Sequence, residues 1–155
     1  MSAEQPGFRG TKSQGAFPYR YSAGEYGTRF FAALKEGKFL ASHCTHCNAT
    51  LVPCRIACAR CFGKMTEFRE VPGTGTIANF TQVNFPFLDP FTGEKRPVPY
   101  CYGRIQLEGT DNSFMAYFDV KDYRKLKVGM KVQAVFREHR VGAMSDLSHF
   151  EVVPD

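Results

Sequence analysis

Two C-x-x-C pairs, Cys44-Thr-His-Cys47 and Cys58-Ala-Arg-Cys61, stand ten residues apart and constrain this chain more than any other feature. Each step places two sulfurs on one tight turn, and the segment between them is long enough to double back as a hairpin. Four thiolates then surround one ion. Zn²⁺ favours such a tetrahedral sulfur shell, and a closed Cys₄ set leaves no position open to substrate. The spacing therefore predicts one structural zinc on Cys44, Cys47, Cys58 and Cys61, with iron in a rubredoxin-like shell as the runner-up. Arg55, Arg60 and Lys64 lie near enough in sequence to offset the negative charge of the site. His43 and His46 flank the first pair, but a complete cysteine set makes them unnecessary as ligands. Gly63 is expected where the chain turns tightly around the metal. Cys54, after Pro53, reads as a bystander.

Length sets the scale: 155 residues form one domain, or a small module plus one domain. A hydrophobic fraction of 43% suffices for a core. Neither a membrane-spanning apolar run nor an apolar signal segment is visible. Paired C-x-x-C motifs in such a chain point to metal binding in a reducing compartment rather than to a disulfide framework, so a cytoplasmic location is expected. The formal charge of +5 treats cysteine as neutral. Four thiolates and one Zn²⁺ bring it to about +3, weak support for a nucleic-acid partner.

Residues 1–21 read as an extended arm, rich in Gly and Pro yet aromatic at Phe8, Phe17, Tyr19 and Tyr21. A helix is expected within 22–38: Tyr26, Phe30 and Leu34 recur four apart, Phe31 widens the stripe, and Gly37 stops it. Its aromatic stripe must pack on something, either its own domain or another subunit. The zinc ribbon follows over 39–65, with a return strand between 48 and 56 interrupted by Pro53.

The remainder, 66–155, reads as all-β. Strand candidates are Glu67–Val71, Gly75–Phe85, Tyr100–Glu108, Ser113–Val120, Lys131–Arg137 and Leu147–Val153. In one of them Val132, Ala134 and Phe136 alternate inward. Turn signals at Pro72-Gly73, Glu108–Asn112 and Val128-Gly129 separate the candidates, and a short helical turn fits near Asp122–Leu126. Five or six strands of this size predict an OB-fold barrel. The fold class expected is thus mainly β: one N-terminal helix, a rubredoxin-like Cys₄ ribbon, then the barrel. A long loop over 86–99 is made sticky by Phe85, Phe87, Leu88 and Phe91, which makes it a candidate interface or ligand groove.

Other chemistry is hard to find. Cys101 lacks a recognisable base, since His139 and His149 sit in no nucleophile motif, so it reads as a buried strand cysteine. Gly73-Thr-Gly75 runs into a β-rich segment and not into a helix, which fits a barrel corner better than a dinucleotide loop. Asp119 and Asp122 read as ordinary strand-end residues. No acid/base pair or Ser/His/Asp arrangement emerges.

The order of parts resembles a known family, the zinc-ribbon/OB-fold acyl-CoA-associated proteins. The matching stretches are Arg29–Leu40, Cys44-Thr-His-Cys47 with Pro53-Cys54-Arg55, Cys58-Ala-Arg-Cys61, Gly73–Ile77 leading to Phe80-Thr81, and Leu126–Val132. They cover roughly 25–153; the arm and the Phe/Pro loop depart from the pattern. The resemblance implies a non-catalytic, zinc-binding accessory subunit of a heteromeric thiolase-type enzyme acting on a 3-oxoacyl-CoA, with an aromatic acyl group as one option. A hydratase or aldolase partner is the alternative. It also implies partner contact through Arg29, Phe30, Phe31 and Leu34; the loop that departs from the pattern is expected to shape acyl-CoA access through Phe85, Phe87, Leu88 and Phe91. Two rival readings stay open. One is an OB-fold nucleic-acid module stacking bases on Tyr100, Tyr102, Phe114, Tyr117 and Phe118; the other is an autonomous enzyme using Cys101.

Overall fold

The computed structural model describes residues 22–88, 95 and 97–153. The aromatic arm expected over 1–21 lies outside these residues. One helix, α1 (Gly24–Lys35), precedes eight strands: β1 (Phe39–His43), β2 (Thr50–Leu51), β3 (Glu67–Val71), β4 (Thr74–Val83), β5 (Tyr100–Leu107), β6 (Ser113–Phe118), β7 (Lys131–Phe136) and β8 (Leu147–Val152). A 3₁₀ turn over Tyr123–Lys125 fills the gap anticipated between strands, with Asp122 accepting the Arg124 N–H. No described helix is long and apolar enough to cross a membrane.

Helix α1 ends as its sequence dictates. Gly37 adopts φ +77°, a conformation costly for any residue with a Cβ. Its N–H donates to Leu34 O and the Lys38 N–H to Ala33 O, both at 2.9 Å, which satisfies carbonyls the helix leaves open. Arg140, from the β7–β8 loop, donates to Lys35 O at 2.8 Å. The helix is thereby tied to the barrel at its carbonyl end. At its other end the Tyr26 hydroxyl donates to Met65 O at 2.5 Å, which ties it to the ribbon.

The strands form two systems. β2-β1-β3 make a small antiparallel sheet, and β4-β5-β6-β8-β7 close into a barrel. The barrel is antiparallel except where β6 runs alongside β8, with Phe118 opposite Phe150. One expectation is corrected. Glu67–Val71, read as the first strand of the barrel region, pairs with β1 along its whole length, from Phe39 opposite Val71 to His43 opposite Glu67. The return strand expected across 48–56 is likewise reduced to Thr50–Leu51.

Strict alternation builds the barrel core. Cys101, Ile105 and Leu107 of β5, Phe114, Ala116 and Phe118 of β6, and Val132 and Ala134 of β7 point inward and are buried. Gly103 and Gly75 occupy inward positions where strands approach closely. A Cβ on Gly103 would collide with Asn79 O and come within 2.7 Å of Phe80 Cα. Glycine there is a packing requirement.

Helix and ribbon share this core. Phe39, at the start of β1, is buried with its ring 5.5 Å from Phe114, 5.3 Å from Phe136 and 6.3 Å from Phe150. Phe30 reaches Phe114 at 6.4 Å. A second tie runs through the β5–β6 turn. Asp111 and Asn112 side chains accept the Thr50 and Val52 N–H groups at 2.8 and 2.9 Å, while Asn112 donates back to Val52 O at 2.6 Å.

Candidate metal centre and barrel face

Two matching knuckles present the four cysteines. In the first, the Cys44 N–H donates to Ala49 O and the Asn48 N–H to Cys44 O, both at 2.8 Å. In the second, the Cys58 N–H donates to Gly63 O at 2.9 Å and the Phe62 N–H to Cys58 O at 3.0 Å. The fifth residue of each turn is left-handed: Asn48 at φ 58° and Phe62 at φ 59°. Asparagine tolerates that region, whereas phenylalanine pays about 1 kcal/mol for it. The tight turn thus falls on Phe62, not on Gly63 as expected. A Cβ at Gly63 would lie 3.0 Å from His46 Cδ2 and 3.4 Å from Cys61 Sγ, tight contacts that these side chains would have to shift to relieve.

The sulfurs converge. All four lie within 4.8 Å of one another, with Cys44–Cys61 and Cys47–Cys58 each at 3.5 Å. Zn–S bonds of about 2.3 Å require sulfurs roughly 3.8 Å apart, so the set fits the ion after small adjustments. The proton equilibria point the same way. Backbone N–H groups of Cys47 and His46 hold Cys44 below the ordinary thiol range, against the effect of burial. Those of Cys61 and Arg60 bring Cys58 down to about 6. Their partners rise. The Ala49 N–H pulls Cys47 down, but burial and the facing sulfurs push it up to about 12. The Gly63 N–H likewise favours a Cys61 thiolate, yet Cys44 and burial raise it. The four thiols do not ionise together unaided, and a divalent ion at their centre would deprotonate the raised pair on binding.

Neighbouring groups hold structural roles. His43 Nδ1 lies 3.0 Å from Thr50 Oγ1. Cys54 is buried and donates to Leu40 O at 3.0 Å, and burial pushes its thiol up to about 11. Arg60 spends its charge on Asp111 at 3.3 Å. Cys101 is fully buried inside the barrel, its thiol raised first by burial and then by Asp122. It is a poor nucleophile there.

The residues expected to meet a partner divide. Phe30 and Leu34 are buried in this chain's own core, so their role as surface contacts is corrected: the helix stripe is consumed by the barrel and ribbon. Arg29 stays half-exposed, paired with Glu25 at 2.9 Å and lying 4.8 Å over the Phe68 ring. Phe31 is half-buried. On the loop, Phe85, Phe87 and Leu88 are 61%, 52% and 63% exposed; Phe91 lies outside the described residues. Phe85 and Phe87 meet at 4.5 Å.

The outer face of β4–β6 carries the three tyrosines read from the sequence as stacking candidates. Alternation turns Thr81, Tyr100, Tyr102, Arg104, Met115 and Tyr117 away from the core. Tyr117 lies 5.6 Å from Tyr100 and 4.8 Å from Tyr102. An open groove beside them is lined by Asn79, Phe80, Thr81, Tyr102, Arg104 and Met115. Burial and then the neighbouring tyrosines raise the Tyr102 hydroxyl above its ordinary value, so it stays protonated. Phe114 and Phe118, expected among stacking residues, face inward and are buried, which leaves only the tyrosines of that set on the surface.

Two family models match consecutive segments: the ChsH2 rubredoxin-like zinc ribbon domain over residues 31–67 and the ChsH2 C-terminal OB-fold domain over 68–137. No curated protein matches the chain. Among solved structures, a DUF35-family protein of unknown function from Sulfolobus solfataricus is 23% identical with a TM-score of 0.60. The alignment covers 84% of this chain and 87% of that one. An Ltp2-ChsH2(DUF35) aldolase is 18% identical with a TM-score of 0.63, covering 86% and 98%. At these identities the two structures share the fold. With ribbon and barrel matched in order, and four sulfurs gathered for one structural zinc, the chain belongs to the ChsH2-type zinc-ribbon/OB-fold family.

Proposed function

We propose that this chain is a non-catalytic accessory subunit of a heteromeric acyl-CoA enzyme of the thiolase type. The reaction is CoA-dependent cleavage of a 3-oxoacyl-CoA or its reverse condensation. The partner supplies the nucleophile and the acid/base groups. The zinc, closed by four sulfurs, holds the ribbon and stays out of the reaction. The observation that carries the reading is the apolar, aromatic surface on one side of the barrel: exposed Phe85, Phe87 and Leu88 follow β4, whose neighbour β5 displays Tyr100 and Tyr102. Exposed apolar surface of this kind marks an interface or a ligand groove. On this reading it borders the acyl passage, excludes water from it, and suits an aromatic acyl group. Arg29 and Phe31 remain the helix residues available to the partner.

An aldolase partner is the second reading, favoured by the fold shared with the Ltp2-ChsH2(DUF35) aldolase. The deciding experiment co-purifies the zinc-loaded chain with a candidate thiolase from the same genome. CoA-dependent cleavage of 3-oxoacyl-CoA is then assayed with and without the chain. Turnover that needs the chain supports the thiolase reading. Equal turnover in its absence refutes it, and chain-dependent retro-aldol cleavage of a 3-hydroxyacyl-CoA selects the aldolase.

A further inference from the structure

Asp119, His149 and Glu151 meet on the opposite side of the barrel wall from the core. β6 and β8 run parallel with Phe118 opposite Phe150, and the Asp119 N–H donates to Phe150 O at 3.1 Å. Phe118 and Phe150 point inward and are buried. Alternation therefore turns Asp119, His149 and Glu151 outward together. Their ligand atoms all lie within 4.8 Å of one another.

We propose that these three residues form a second cation site, binding one divalent first-row ion through one imidazole nitrogen and two carboxylate oxygens. Three further observations favour it. His149 Nδ1 lies 3.0 Å from Ser148 Oγ, and His149 Nε2 lies 3.4 Å from Glu151 Oε1. With Nδ1–H donated to the serine, Nε2 would be free to bind an ion in place of its contact with Glu151, the arrangement that orients metal-ligating histidines. Among the described residues, neither Asp119 nor Glu151 pairs with a lysine or arginine, and the one ion pair within the group is His149 with Glu151 at 3.4 Å. All three ligands sit on or directly beside two paired strands, which fixes their spacing better than a loop would. Ligand atoms about 2.0–2.2 Å from an ion stand about 3–4 Å apart, so modest side-chain rotation completes the set, with water filling the remaining positions.

The donor chemistry separates this site from the ribbon. Thiolates select zinc, whereas one nitrogen and two oxygens also accept Mn²⁺. An ion here bridges β6 and β8 across the barrel's parallel seam. The site is independent of any accessory role.

Zinc-loaded full-length protein titrated with Mn²⁺ and followed by electron paramagnetic resonance tests the assignment. The expected result is one Mn²⁺ per chain, displaced by excess Zn²⁺, with the ribbon zinc retained. Asp119→Asn, His149→Gln and Glu151→Gln should each weaken binding at least tenfold while leaving ribbon zinc content unchanged. Mn²⁺ should also raise the melting temperature of the wild type and not of Asp119→Asn. Absence of stoichiometric Mn²⁺ binding, or binding unaltered in all three variants, overturns the proposal.

Discussion

Replacing Phe39 by alanine tests whether ribbon and barrel fold as one body. The ring is buried and stands 5.3–6.3 Å from three others, Phe114 and Phe150 of the barrel wall and Phe136 at the end of β7. Phe→Ala at such a site removes the transfer free energy of the ring and leaves a cavity, together about 3–5 kcal/mol. Rigid strands on three sides limit collapse, which favours the upper half of that range. For a chain of this size each kcal/mol lowers the melting temperature by about 2–4 °C, so a fall of roughly 6–20 °C is expected. Phe39→Leu keeps most of the volume and should cost less than half as much. Urea melts of zinc-loaded protein measure both, with far-UV circular dichroism for the strands and tyrosine fluorescence for the barrel face, since the chain has no tryptophan. Zinc release reports the ribbon. All three signals should move together in the wild type and in both variants. A cost below about 1 kcal/mol for Phe39→Ala, or zinc release at a lower urea concentration than barrel unfolding in the wild type, refutes the shared core.

Three further outcomes follow from the described geometry. Cys58→Ser removes one sulfur of the set; elemental analysis should find zinc falling from one per chain toward zero and the melting temperature falling with it, because metal binding is folding free energy here. Gly103→Ala pushes a Cβ into Asn79 O and Phe80 Cα of β4, and should destabilise by about 1–3 kcal/mol in urea melts. Buried Asp146 accepts N–H groups from Val141, Gly142 and Ala143 at 3.0, 2.7 and 3.1 Å. Burial opposes the charge, but these bonds prevail and hold its carboxyl below the usual value. A depressed folded pKa contributes stability that is present above the unfolded value of about 3.9 and fades as pH falls through the folded one. Asp146→Asn should therefore lose stability at pH 7 and narrow its deficit below pH about 4, read from melting temperatures across pH.

The zinc centre was legible because its signal is local: two C-x-x-C steps and the chain between them contain the whole geometry. The helix stop at Gly37 and the inward pair Val132 and Ala134 were legible for the same reason, each resting on a period or a single backbone conformation, whereas a register shift between Val135 and Phe136 leaves Phe136 half-buried. What escaped depends on pairing between distant segments. β3 looks like any strand, and nothing in Glu67–Val71 announces that β1 will claim it. The stripe of Phe30 and Leu34 demanded burial, but the sequence could not say that the covering surface belongs to the same chain. Asp119 looked like a strand-end residue until the parallel pairing of β6 with β8 set it beside His149 and Glu151. The left-handed Phe62 contradicts its own preference and could be found only from the knuckle's hydrogen bonds.

The β5–β6 turn has a mechanical consequence. Through Asp111 and Asn112 it grips the backbone at Thr50 and Val52, and Thr50 directly follows Ala49, the residue that closes the first knuckle. A protein that seizes the tip of the ribbon therefore steers the whole barrel, as a handle steers a blade. Aim, more than adhesion, is what such a rivet transmits.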